Sequence, residues 1–240
     1  MARIVHGFKI GKKRYYIPWI FFAIIIPIII FIIVGKINKI EIELIAFNVG
    51  LSFLRLLCAY FISLGVAIVI VALIGQSKAG DFFIPIFDLL QNLPSFALIP
   101  LFVALFSGFN DNMAIIFAAS SILWPILFYM LHAVKTAPQD LNNAARIFGA
   151  KGLKRTLNYY LPLMFPAGVT GSIVGFAIGW EAVIGIEMMG LTSGIGFFLN
   201  EIIRQSQMTF ALGIVCLMIL VFIINRLLWM PLLKKSELYE

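Results

Sequence analysis

Charge is what this sequence has least of. Asp, Glu, Lys and Arg together make up 12% of its 240 residues, about half the share of an ordinary soluble domain. With 62% of residues apolar, that scarcity excludes a soluble globular protein and implies an integral membrane chain. Cysteine and histidine are nearly absent too. Cys58 and Cys216 lie in apolar runs with no CxxC or Cys/His spacing, so both read as packing residues, with no disulfide and no metal site expected. His6 and His132 stand far apart near the ends of apolar runs. There is no HExxH, no nucleophile elbow and no carboxylate pair in a sugar-binding setting, so no catalytic residue is expected. The run from Gly7 to Lys13 has the flavour of a phosphate loop. It is one residue short, lacks a Ser or Thr after the lysine and precedes no strand–helix unit, so no nucleotide site is assigned to this chain. Internal repeats and low-complexity linkers are also missing.

What the chain does contain is apolar stretches. Six read as membrane spans, at about 17–34, 50–74, 84–106, 113–131, 163–186 and 209–229. The expected fold is an all-α membrane protein of six transmembrane helices, a single domain over 1–240. Residues 1–16, with Arg3, Lys9, Lys12, Lys13 and Arg14, form a basic anchor. The first span is too long for a signal peptide and no small-residue cleavage site follows it, so it is expected to remain as an anchor. Residues 35–48 are amphipathic and are expected outside, as a short helix on the membrane. The third span holds Pro94 and Pro100 and should be kinked and buried in protein.

The net charge of +7 could suggest nucleic acid. The basic residues sit beside apolar spans, however, and the positive-inside rule accounts for them better. With the N-terminus inside, 14 of the 18 Lys and Arg are cytoplasmic: five before the first span, then Lys78, Lys135, Arg146, Lys151, Lys154, Arg155, Arg226, Lys234 and Lys235. Only Lys36, Lys39 and Arg204 fall in outer loops. Both termini and the 132–162 connection are therefore expected in the cytoplasm.

That connection is the one long polar island. Pro138 suits a first helical turn and Gly149 a helix end. Between them Leu141, Ala144, Ala145 and Phe148 recur at i, i+3, i+4 and i+7, one apolar face of a short helix. A second short helix, about 153–160, is expected to stop at Pro162.

In the fifth span Gly171, Gly175 and Gly179 recur every four residues, a ladder that admits a neighbouring helix backbone. Glu181 and Glu187 lie on different faces of that span, each about 120° from the ladder. A carboxylate there must face protein or water. Either acid can pair with Arg55 in the second span or line a pathway. Asn92 and Ser95, in the proline-bearing span, are further pathway candidates, as is Trp180.

The island resembles a known loop. Asn143-Ala144-Ala145, Gly149, Leu161 and Pro162 stand in the register of the EAA-x3-G-x9-I-x-L-P loop found in the inner-membrane permeases of binding-protein-dependent ABC importers. Asn143 replaces the acid of that pattern and Tyr159 the isoleucine. The stretch from Asn92 to Val103 is also similar to the family's third core span. Trp180 six residues before Glu187, then Gly194-Ile195-Gly196-Phe197, resembles the nitrate/sulfonate/taurine branch. Glu181 is not part of that pattern. The resemblance implies a type I permease in the cytoplasmic membrane of a prokaryote. It would pair with a second copy or a paralogue, and receive solute from an extracytoplasmic binding protein. Through the 138–162 loop it would couple to separate ATPase subunits, which would carry the ATP and Mg. No nucleic-acid partner is implied. The branch suggests a small anion such as nitrate, a sulfonate or taurine, while relatives that carry neutral or cationic compounds leave the solute open. A secondary transporter, or a membrane scaffold without transport, are the alternatives.

Overall fold

The computed structural model describes residues 16–75, 77–140, 143, 147, 149 and 155–236. The basic segment 1–15, Ala144, Ala145 and residues 150–154 lie outside the described residues. Those described form helices and connections with no strand. The helices are α1 (Tyr16–Ile37), α2 (Ile42–Ile74), α3 (Lys78–Gln91), α4 (Ile99–Leu105), α5 (Asp111–Lys135), α6 (Leu161–Gly190), α7 (Ile195–Ile202), α8 (Gln207–Ile224) and α9 (Met230–Ser236). A 3-10 turn, Ser95–Leu98, leads into α4, and π-helical turns precede α6 (Thr156–Tyr160) and follow α8 (Asn225–Trp229).

Four helical stretches are long and apolar enough to cross a bilayer: Ile42–Ile74, Asp111–Lys135, Asn158–Gly190 and Gln207–Ser236. A fifth arises if Phe82–Gln91 and Ser95–Leu105, bent by 90°, count as one. The expected sixth, 17–34, falls within α1. That helix is 22 residues long, with Pro27 inside it.

The amphipathic segment 35–48 is not a separate surface helix from end to end. Its second half forms the first turns of α2. Ile45 and Val49 are buried against Phe31 of α1, Ile195 and Phe198 of α7, and Leu212 of α8, so apolar packing carries the helix back to Ile42. The stretch 84–106 is broken rather than kinked. Pro94 disfavours helical backbone at the residue before it, and the chain restarts at the 3-10 turn, with Pro100 in the first turn of α4. Nor does Pro162 stop a helix. The π turn 156–160 runs directly into α6, and Pro162 sits in the first turn, where a missing N–H costs nothing.

The helix α5 is the centre of the bundle. Its Phe117, Ile122, Ile126 and Leu127 are fully buried, packed in one core with Leu56 and Val71 of α2 and Met164, Val183 and Ile186 of α6. Asn110 opens it, its side-chain carbonyl accepting from the Met113 N–H at 2.9 Å. The outer faces of α2, α3 and α8 expose Leu54, Phe61, Val69, Phe82, Leu89 and Met218, apolar surface of the kind that meets lipid or another membrane chain. α5 and α6 run antiparallel, so the bundle has two ends. The polar loop attaches at one; the start of α5 and the end of α6 meet at the other, the far end.

Candidate functional site

At the far end, α2 places Asn48, Ser52 and Arg55 on one face, at i, i+4 and i+7. All three are buried. The Arg55 guanidinium makes four hydrogen bonds and one further ion-pair contact. Nη1 donates to Glu187 Oε1 at 2.6 Å and to the Ser193 carbonyl at 3.0 Å. Nη2 donates to Ser193 Oγ at 2.6 Å and lies 2.7 Å from Asp111 Oδ1. Nε donates to the same Asp111 oxygen at 2.8 Å. Glu187 is 1% exposed, yet its carboxylate is fully served. Ser52 Oγ lies 2.7 Å and 2.8 Å from its two oxygens, and the Gly196 N–H donates to Oε2 at 2.9 Å. Ser52 in turn accepts from the Ile195 N–H at 2.8 Å, and Asn48 Oδ1 accepts from the Gly194 N–H at 3.0 Å.

This knot ties α2, the start of α5, the end of α6 and the start of α7 together. Gly194 has φ +103°, and a Cβ there would overlap the Glu187 carboxyl and the Arg55 guanidinium. The glycine-rich 194–196 stretch is glycine-rich because it wraps the ion pair. Among the described residues every nitrogen of Arg55 already faces a partner, so the knot clamps helices together.

Below the knot the glycine ladder meets α5. A Cβ on Gly171 would come within 2.9 Å of the Ile126 Cα and the Pro125 carbonyl. One on Gly175 would come within 3.0 Å of the Ile122 carbonyl, and one on Gly179 within 2.6 Å of Ile122 Cδ1. Trp180 is buried beside this seam. It stacks on Phe53 of α2 and meets Phe176 edge-on; Phe176 in turn meets Trp229 of the π turn after α8.

The remaining candidates point elsewhere. Glu181 is exposed. Asn92 is exposed and donates to the Asp88 carbonyl at 2.6 Å, closing the end of α3. Ser95 is half-buried at the start of the 3-10 turn.

At the opposite end lies the polar loop. Asn143 is exposed and helical. Ile147 is 83% exposed, an uncovered apolar side chain on a loop. Gly149 turns with φ +72° and open space around it. The loop returns through Arg155, whose guanidinium lies 5.3 Å from the centre of the Tyr160 ring. Leu161 and Pro162 form the first turn of α6, so the described end of the loop, from Arg155, runs helically into the ladder.

Residues 62–230 match the family described as the binding-protein-dependent transport system inner membrane component. The chain belongs to this family. Among curated relatives, the nitrate import permease protein NrtB of Leptolyngbya laminosa is 33% identical over 115 residues, 48% of this chain and 41% of that protein. The bicarbonate transport system permease protein CmpB of Synechococcus elongatus is 31% identical over 127 residues, 52% and 45% of the two chains. A relative named for aliphatic sulfonates transport, SsuC of Bacillus subtilis, is 24% identical over 161 residues, 67% and 58%. The chain spans about half the length of the curated relatives it matches.

In this inner-membrane component the Trp180-x6-Glu187 spacing has a physical content. Trp180 faces the aromatic cluster, and Glu187, two turns on, reaches the knot. Sequence reasoning missed Ser52, Asn48, Asp111 and Ser193. The i, i+4, i+7 spacing of Asn48, Ser52 and Arg55 was the available signal, because a buried arginine needs more acceptors than one carboxylate supplies.

Proposed function

We propose that this chain is the permease subunit of an ABC importer, which forms the solute pathway with a second copy or a paralogue. The observation that carries the reading is the loop: Ile147 stands almost fully exposed two residues before a left-handed Gly149, on the polar segment that precedes α6. An apolar side chain presented on a tight turn suits insertion into a partner's groove. The partner is a separate ATPase subunit, which brings ATP and Mg. Family membership and the Asn143-Ala144-Ala145…Gly149 register support this.

The mechanism follows from the stiffness of what the loop is attached to. Closure of two ATPases on ATP drags the docked loops together. Each loop pulls the first turn of α6 at Leu161 and Pro162. Because α6 meets α5 backbone to backbone along the glycine ladder, the two helices move as one body. The Arg55–Glu187 knot carries that movement to the far end, where a binding protein delivers solute. The far end is extracytoplasmic on this reading, both termini are cytoplasmic, and the names of the relatives point to a small solute with an acidic group.

A photo-crosslinking amino acid at Ile147, introduced in the host membrane, tests the docking directly. The expected adduct is with a nucleotide-binding ATPase. Adducts with lipid alone, or none, would contradict the reading.

A further inference from the structure

Glu181 sits on a long stripe of α6 that is exposed among the described residues. Val174, Ala177, Glu181 and Met188 are all exposed, and at about 100° per residue they fall within about 60° of one another. The glycine ladder, on a face about 130° away, is pressed against α5. The stripe is thus the side α6 turns outward from the bundle. It is bordered at its far end by the broken element, since a Cβ on Gly185, one turn above Glu181, would strike the Phe96 ring of the 3-10 turn.

The carboxylate lies nine residues before Gly190, about 13 Å inside the helix end. That is too deep to reach an interface, and a carboxylate facing hydrocarbon there is strongly disfavoured. Among the described residues no donor reaches it. Its acidic neighbour Glu187, six residues on, is neutralised by Arg55. Arg55 is the only Lys or Arg within residues 42–74, 111–131, 161–190 and 207–224, and each of its nitrogens already faces a partner. Within those four stretches Glu43, Asp111, Glu181 and Glu187 stand against one cation, Arg55.

We infer that Glu181 faces the water-filled pathway and selects for positive charge at that depth, so that the solute carries a protonated amine beside its acidic group, rather than being a bare inorganic anion. This rests on the importer reading above and narrows its solute class. The carboxylate would accept from the ammonium as it passes, and would repel a monoanion of similar size.

The probe is a pair of thiol reagents of similar size, one methanethiosulfonate bearing a trimethylammonium group and one bearing a sulfonate. Cys58, which is exposed, and Cys216 are first replaced by serine, and Ala177→Cys is introduced one turn from Glu181. Rates are measured on the complex with its ATPase and divided by those of a free thiol. The cationic reagent is expected to react about tenfold or more faster than the anionic one, from a unit charge about 6 Å away in a hydrated path. Glu181→Gln should bring the ratio close to one. Val174→Cys, two turns from Glu181, should show the same direction with a smaller ratio, and stands in if Ala177→Cys disturbs the fold. Equal rates with Glu181 in place, or a ratio that survives Glu181→Gln, would overturn the inference. So would failure of both reagents to react while the ATPase still co-purifies, which would leave the importer reading standing. A chain that purifies without any ATPase would sink both.

Discussion

Gly194 packs so closely on Glu187 that a single methyl group on its Cα would overlap the carboxyl. The backbone there has φ +103°, a region side chains rarely enter. Conformation and space thus both demand glycine, and both demands come from the same ion pair. The far-end loop and the end of α6 are one device: the acid orders the loop, and the Gly196 N–H donates back to the acid.

Gly194→Ala should therefore be costly, with strain of about 1–3 kcal/mol before the overlap is relieved. Gly149→Ala shares the left-handed backbone but has open space, and should cost only about 1–2 kcal/mol. Thermal unfolding of the two variants in one detergent checks the order. Equal shifts would mean that the crowding at Gly194 has no energetic weight.

Glu187→Ala would leave the Arg55 guanidinium buried without its inner partner. Loss of one member of a buried pair costs about 3–5 kcal/mol, a fall in Tm of very roughly 6–20 °C for a chain of this size. The double variant Arg55→Ala/Glu187→Ala should lose less than the sum of the two single variants, by about 0.5–3 kcal/mol. Strict additivity in that cycle would show that the two groups are not coupled.

Asp111 shares Arg55, but its side chain is 67% exposed. Water can replace much of what it gives. Asp111→Asn should cost no more than about 1 kcal/mol, well under Glu187→Ala in the same unfolding assay. A larger loss would place the weight of the knot on α5 instead of α6.

The ladder gives a contrast within one residue type. Gly175→Ala drives a methyl group to 3.0 Å from the Ile122 carbonyl, and Gly179→Ala to 2.5 Å from Leu56 Cδ1. Overpacking of this kind costs about 1–3 kcal/mol. Gly50 and Gly65, helical glycines with nothing within 4 Å, should gain about 0.5–1 kcal/mol as alanine. Melting curves in which all four behave alike would dismiss the seam.

The sequence made some of this legible because local chemistry decided it. Glycines every four residues need a close neighbour, and a glycine closing a polar helical segment takes a left-handed turn; the seam at Gly171, Gly175 and Gly179 and the φ of Gly149 are read from spacing alone. What spacing could not decide was which acid Arg55 takes. Glu181 and Glu187 differ by six residues on one helix, and only the crossing of α2 over α6 brings one of them to the guanidinium. Nor could it show that α2 begins at Ile42. The charges of Lys39, Glu41 and Glu43 suggest a surface segment, whereas the burial of Ile45 and Val49 between α1, α7 and α8 is tertiary. Pro162 misled for a related reason. A proline reads as a stop unless the preceding turn is already helical, and a π turn is not visible in a hydrophobic pattern.

The central claim is that the 138–162 loop docks a separate ATPase. The most direct test is extraction of the tagged chain from its native cells in mild detergent, with identification of what accompanies it, for the wild type and for Gly149→Asp. Asp tolerates a left-handed turn better than most residues, and among the described residues no atom crowds that Cβ. The variant should fold and differ only toward a partner. The account predicts a stoichiometric ATPase with the wild type and its loss with Gly149→Asp. A wild-type chain that purifies alone, or a variant that retains the ATPase at wild-type stoichiometry, would contradict it.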